Sequence, residues 1–163
     1  MKKILILSDT HGCFDAFIEK QAKWADEIWH AGDWGTTEVA DKLSSHCKTR
    51  GVYGNIDDHE LRADFKETAC FEIEGIKVAM MHIAGYPGRY NAKAVKLIQD
   101  ESPDLFICGH SHILKVISDK QNKHLHINPG AAGIKGFHKV RTMIRLYIKN
   151  NKVDQMEVIE TKR

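Results

Sequence analysis

The sequence predicts an α/β protein in which two mixed β-sheets pack together with helices outside. Two observations predict it. Short aliphatic runs alternate with segments of helical periodicity through the first half of the chain, and the later runs pair as hairpins. A third regularity concerns function: the apolar runs end in residues drawn from Asp, His and Asn, several beside glycine.

Lys3–Leu7 reads as a strand buried on both faces, because its aliphatic run is uninterrupted. Phe14, Phe17, Ile18 and Ala22 then recur at helical spacing. Glu27–Ala31 is a second strand, Thr36–Leu43 a helix and Arg50–Tyr53 a third strand. Cys70–Ile73 and Lys77–Met81 form a hairpin through Glu74-Gly75. A helix over Ala92–Asp100 has Asn91 as its N-cap and Pro103 enforcing its end. Leu105–Cys108 is a further buried strand. From Arg141 to Lys149, Thr142, Ile144, Leu146 and Ile148 alternate with more polar neighbours, and Asn150-Asn151 supplies a tight turn into Val153–Ile159. Strand order within each sheet is not contained in these patterns.

The chain has 163 residues, enough for one domain, 1–163, with its own core. Lys and Arg number 24 against 22 for Asp and Glu, a balance that disfavours long nucleic acid as a partner. The apolar run Ile4–Leu7 is shorter than a signal peptide or membrane helix requires, so a cytoplasmic protein without membrane contact is expected. Cys13, Cys47, Cys70 and Cys108 form no C-x-x-C pair and are expected as reduced, mostly buried thiols. The ten histidines are the unusual feature, a rich supply of nitrogen ligands and proton carriers.

The first strand runs into Ser8-Asp9-Thr10-His11-Gly12, the second into Gly32-Asp33 and the third into Gly54-Asn55. The hairpin's second strand ends at His82, and Leu105–Cys108 runs into Gly109-His110-Ser111-His112. In α/β sheets ligands bind beyond the carboxyl ends of the strands, so these side chains can meet in one crevice. Taken singly, the motifs have ordinary readings: a capping Asp beside a surface His, or Gly-Asp and Gly-Asn turns. Together, Asp9, His11, Asp33, Asn55, His82, His110 and His112 exceed the protein ligands of one catalytic zinc and suit two metals sharing a bridging carboxylate. Mixed imidazole and carboxylate donors favour Mn, Fe, Zn, Ni or Co over Mg alone. A cationic cluster of this kind attracts a phosphate ester and stabilises charge on its oxygens.

These motifs, with Asn128-Pro129-Gly130, resemble the signature of the calcineurin-like metallophosphoesterases, specifically the small single-domain bacterial and archaeal phosphodiesterase branch, over essentially the whole chain. The resemblance implies a four-layer α/β/β/α sandwich and a dinuclear centre of two divalent transition metal ions, manganese first. It implies that Asp9, His11 and His112 hold one metal, that Asn55, His82 and His110 hold the other, and that Asp33 bridges them. Asp33, Asn55 and His82 are thereby the implied catalytic set. The implied activity is hydrolysis of small phosphate diesters by a metal-bound hydroxide, with no covalent phospho-enzyme. A phosphomonoesterase or nucleotidase, and a non-catalytic scaffold of the same fold, are the alternatives. Homo-oligomers occur among relatives, and a C-terminal hairpin edge leaves pairing with a second copy open.

Two departures from the family pattern stand out. Ile56 occupies the place where larger relatives carry a histidine that assists the leaving group, so phenolic leaving groups should be favoured over alkyl alcohols. Ile83 and Ala84 make the loop after His82 bulkier than the usual Thr-His-Gly. Of the other histidines, His30 is expected buried near the site, either supporting it or merely packed, and His126 reads either way. His46, His59, His124 and His138 read as surface residues, and Arg89 as a solvated loop arginine or a substrate contact.

Overall fold

The computed structural model describes residues 1–163 and contains fourteen elements in chain order. They are β1 (Lys2–Leu7), α1 (Ala16–Trp24), β2 (Glu27–His30), α2 (Thr37–His46), β3 (Lys48–Gly51), α3 (His59–Asp64), β4 (Thr68–Ile73), β5 (Ile76–Met81), α4 (Ala92–Glu101), β6 (Leu105–Ile107), β7 (Leu114–Asp119), β8 (His124–Pro129), β9 (Val140–Lys149) and β10 (Lys152–Lys162). The strands form two mixed five-stranded sheets, ordered β10-β9-β1-β2-β3 and β4-β5-β6-β8-β7.

Alternation along the central strands explains their uninterrupted apolar runs. In β1, Ile4 and Ile6 point between the sheets and meet Val78 and Met80 of β5, Ile107 of β6 and Ile144 of β9. Leu5 and Leu7 point the other way, onto Ile18 and Ala22 of α1 and Val39 and Leu43 of α2. The second sheet repeats the arrangement: Ala79 and Met81 of β5 and Phe106 of β6 pack on Ala94 and Ile98 of α4. The result is a four-layer α/β/β/α sandwich, with a period-2 pattern buried on both faces.

Helix starts follow local chemistry. Asp15 caps α1 by accepting from the Ile18 amide at 3.2 Å, and Asn91 caps α4 by accepting from Ala94 at 2.8 Å. Ser102 closes α4 in the left-handed conformation. Several boundaries differ from expectation: α2 continues past Leu43 to His46, and β3 occupies 48–51 rather than 50–53. β10 reaches Lys162, with a register shift between Val153 and Gln155. β7 and β8, an antiparallel pair, have no counterpart in the sequence reading. β7 lies at a sheet edge with half-exposed side chains, so its alternation is masked by polar residues.

The strand-end loops of the first sheet are stitched together by one buried carboxylate. Asp57 accepts from the amides of Asp33 (3.0 Å), Trp34 (3.3 Å) and Gly54 (2.8 Å) through Oδ2, and from Gly35 (3.0 Å) through Oδ1. It thereby ties the loop after β2 to the loop after β3. A Cβ at Gly54 would collide with the Asp33 carboxylate, so the close approach requires glycine there. Replacing Asp57 by Ala leaves buried amides unpaired, and urea unfolding should show a loss of about 3 kcal/mol, with Asp57→Asn retaining part of it. An unchanged midpoint for Asp57→Ala would remove this residue from the account.

Candidate metal centre

All seven strand-end residues come together at the carboxyl ends of β1, β2, β3, β5 and β6, where the two sheets adjoin. Asp9, Asp33 and His82 are buried, His11 and His112 are half-buried, and Asn55 and His110 face solvent. The crevice therefore has a closed floor and one open side.

Each carboxylate is anchored by one oxygen and presents the other. Asp9 Oδ2 accepts from the Ser8 hydroxyl at 2.6 Å and from the His110 amide at 3.0 Å. Its Oδ1 has no hydrogen-bond partner and faces Nε2 of His112 (3.2 Å), His11 (3.6 Å) and His82 (3.9 Å). Asp33 Oδ1 accepts from the Ile56 amide at 3.1 Å, while Oδ2 lies 3.1 Å from His82 Nε2 and 3.6 Å from His11 Nε2. A Cβ at Gly109 would collide with Ser8 and the Asp9 carboxylate, so this anchoring also needs a glycine.

The imidazoles are oriented from behind. His82 Nδ1 lies 2.7 Å from the Ala31 carbonyl and donates to it, which turns Nε2 into the crevice. His138 Nε2 donates to the Gly133 carbonyl at 2.8 Å. In its neutral form His138 therefore accepts through Nδ1, and His112 Nδ1, 3.3 Å away, is the donor. That chain leaves the lone pair of His112 on Nε2, facing Asp9.

The backbone carries an independent signature of a built site. Asp9, His11, Asp33, His110 and His112 all adopt positive φ, between 45° and 73°. The other non-glycine residues with positive φ, Glu74, Ser102, Lys123, Asn150 and Asn151, lie in turns or at a helix end. Left-handed backbone is uncommon outside glycine, and although Asp and His adopt it more readily than most, five such residues at one crevice mark surroundings that enforce it.

Electrostatics follow from burial and close charges. Burial pushes the Asp9 carboxyl upward, but His11, His112, His82 and Ser8 outweigh it and hold the group well below the usual carboxylate range. Asp33 is lowered in the same way, burial being overcome by His82 and the Ile56 amide. For His82, burial favours the neutral ring, yet the Asp33 and Asp9 carboxylates raise its pKa above the ordinary value. Cation binding must displace that proton, so the site's metal affinity falls as pH is lowered.

The donors fall into two groups, Asp9-His11-His112 and Asp33-His82-His110, each with ligand atoms close enough for one ion. Asn55 Oδ1, 3.0 Å from His110 Nδ1, adjoins the second group. Asp33 Oδ2 reaches His11 of the first group as well as His82 of its own. Asp9 Oδ1, His11 Nε2 and His82 Nε2 are buried without hydrogen-bond partners and converge on the same space. A cation is what such acceptors fit.

Other residues resolve in different ways. His30 is buried against Trp34 at 3.8 Å between ring centroids. It accepts from the Gly32 amide and bonds Thr10 Oγ1, and burial takes its pKa down to about 3, so it supports the two loops as a neutral ring. His124, expected at the surface, is buried: Tyr90 from the loop after His82 folds over β8 and bonds both His124 (3.0 Å) and His126 (2.8 Å). His138 is likewise not a free surface residue. His59 and Arg89 are exposed, and His46 is half-buried on Phe14. The four cysteines are unpaired, and against expectation only Cys108 is buried: Cys13 and Cys47 flank α1 and α2, and Cys70 faces outward from the edge strand β4. Asp57 and His138 carry no local mark in the sequence, because the burial of the first and the contact of the second with His112 exist only in the folded chain.

Comparison with known proteins bears on the family and the fold. Residues 1–151 match the calcineurin-like phosphoesterase superfamily domain. A probable metallophosphoesterase of Mycoplasma pneumoniae is 31% identical over 164 residues, covering 96% of either chain. The fold is similar to a structure described as a novel archaeal phosphodiesterase (TM-score 0.75, 21% identity, 98% of this chain and 99% of that one). It is also similar to zinc-complexed Vps29 of Entamoeba histolytica (TM-score 0.73, 18% identity, 98% of each chain). No helix is long and apolar enough to cross a membrane. The chain belongs to the calcineurin-like phosphoesterase superfamily.

Proposed function

We propose that this phosphoesterase is a phosphodiesterase that hydrolyses small phosphate diesters at a dinuclear centre, with Asp9, His11 and His112 around one metal and Asn55, His82 and His110 around the other. Asp33 is the shared ligand. The observation that carries the reading is the convergence of Asp9 Oδ1, His11 Nε2 and His82 Nε2, buried and unpartnered, between two carboxylates that each present one free oxygen. When bound, two divalent ions, manganese foremost among Mn, Fe, Zn, Ni and Co, supply positive charge for the phosphoryl oxygens and acidify water.

The protein's own contribution is placement. Asp33 and Asp9 set the spacing of the donors, and the backbone bonds from Ala31 to His82 and from Gly133 through His138 to His112 hold the rings in the ligating tautomer. Asn55 and His110, on the open side, meet the incoming ester. Ile56, 47% exposed at the edge of this opening, has no proton to give a leaving group. The choice of a diester is supported by the similarity to the archaeal phosphodiesterase rather than by the rim, where the opening beside Asn55, His82 and Ile83 also carries Arg62, Lys93 and Glu67.

Asp33→Asn assayed with manganese on an aryl diester should lose at least about 100-fold in kcat and bind manganese more weakly than the wild type. A wild-type protein inert on both diesters and monoesters with every one of those metals would leave the scaffold reading in its place, whereas turnover of monoesters alone would leave the phosphomonoesterase reading. On matched substrates, aryl leaving groups should react faster than alkyl ones, since departure of an alkoxide needs a proton that Ile56 cannot provide. Equal rates would show that some other group acts as the acid.

A further inference from the structure

Beside the candidate metal centre, the segment Gly133–His138 overhangs His112. Its inner end is fixed: His138 contacts His112 and the Gly133 carbonyl, and Arg163 donates to the Gly136 carbonyl. Gly136 has φ 130°, and a Cβ there would collide with the His112 ring, so the segment lies directly on that ligand. This anchored segment presents Phe137 entirely to solvent, at 104% relative exposure. Across from it Ile113, the residue after His112, is 60% exposed.

Between them is a cavity of about 460 Å³ whose walls include His110, His112, Ile113, Phe137 and His138. No Asp, Glu, Lys or Arg lines it. Its volume lies within the roughly 300–1,000 Å³ of ligand cavities, and its mixture of apolar walls and a few polar groups at one end is that of a small-molecule site. A single exposed apolar residue is ordinary, but an exposed phenylalanine on an anchored loop, opposite an exposed isoleucine and continuous with two candidate ligands, is a local patch.

We propose that this cavity is the subsite for an uncharged, flat apolar arm of the diester, the ester group that stays on phosphorus when the leaving group departs. The metal centre would take the phosphate, and Phe137 and Ile113 would cover an aromatic or similarly hydrophobic arm. A charged or strongly hydrated arm gains nothing from these walls. The proposal rests on the phosphodiesterase reading and names the class of substrate for it.

The test compares two diesters with the same leaving group, p-nitrophenyl methyl phosphate and p-nitrophenyl naphthylmethyl phosphate, in the metal-loaded wild type and in Phe137→Ala, Phe137→Leu and Ile113→Asn. The wild type should favour the naphthylmethyl diester about tenfold in kcat/KM, mostly through KM. Phe137→Ala and Ile113→Asn should bring that ratio close to one, and Phe137→Leu should restore most of it. Phe137 makes no buried contact, so its variants should unfold at the wild-type temperature. Turnover of both diesters without preference, or a preference untouched by Phe137→Ala, overturns the subsite while leaving the phosphodiesterase reading standing. Turnover of neither overturns that reading first. A dimer that dissociates on Phe137→Ala with the substrate ratio unchanged would assign the patch to contact between copies instead.

Discussion

Two buried carboxylates close to one another set the terms for the rest of this molecule. Asp9 is fully buried and Asp33 is 2% exposed. Each isolated buried charge is disfavoured by several kcal/mol even after relaxation, and two like charges compound the problem. Amide and hydroxyl donors satisfy one oxygen of each, but the others face imidazole nitrogens that are themselves unpartnered. Against the cost of its own burial, the two carboxylates raise the pKa of His82, which favours a compensating positive charge on that ring. Metal ions bound there would provide compensation at the same place, which is what two groups of converging ligand atoms around these carboxylates are suited to.

The fold delivers those groups by layering. Because β1, β2, β5 and β6 are covered on both faces, their side chains are committed to the core until the strand ends, and chemistry begins only where the strands stop. Asp57 joins two of the loops of the first sheet, and Gly109 lets the β6 loop of the second sheet reach Asp9. The positive φ angles at five of the strand-end residues are the local expense of bending the loops after β1, β2 and β6 into one crevice. Substitutions far from the metal ligands but inside this stitching would therefore disturb the centre as much as they disturb stability.

Much of this was legible in the sequence, and the reasons are local. An aliphatic run ending in Gly-Asp or Gly-His reads as a strand followed by a tight turn, and that reading located most strands and the seven residues that meet at their ends. What escaped was decided by distant contacts. β8 carries His124, which looks solvent-directed, and His126, which reads either way, until Tyr90 and Phe106 cover them. His138 looks like a loop residue until it meets His112, 26 positions earlier in the chain. β7, an edge strand, has too little burial for alternation to emerge, and no local pattern encodes the strand order that interleaves β9 and β10 with β1.

The central claim is that the seven strand-end residues form one dinuclear centre with Asp33 shared. Its most direct measurement is metal content of protein purified without chelator, followed by anomalous scattering from crystals of that protein. The account predicts two transition-metal ions per chain, one beside His11 and His112, one beside Asn55, His82 and His110, and Asp33 on both. A single ion, or two ions with Asp33 bound to only one of them, would contradict it.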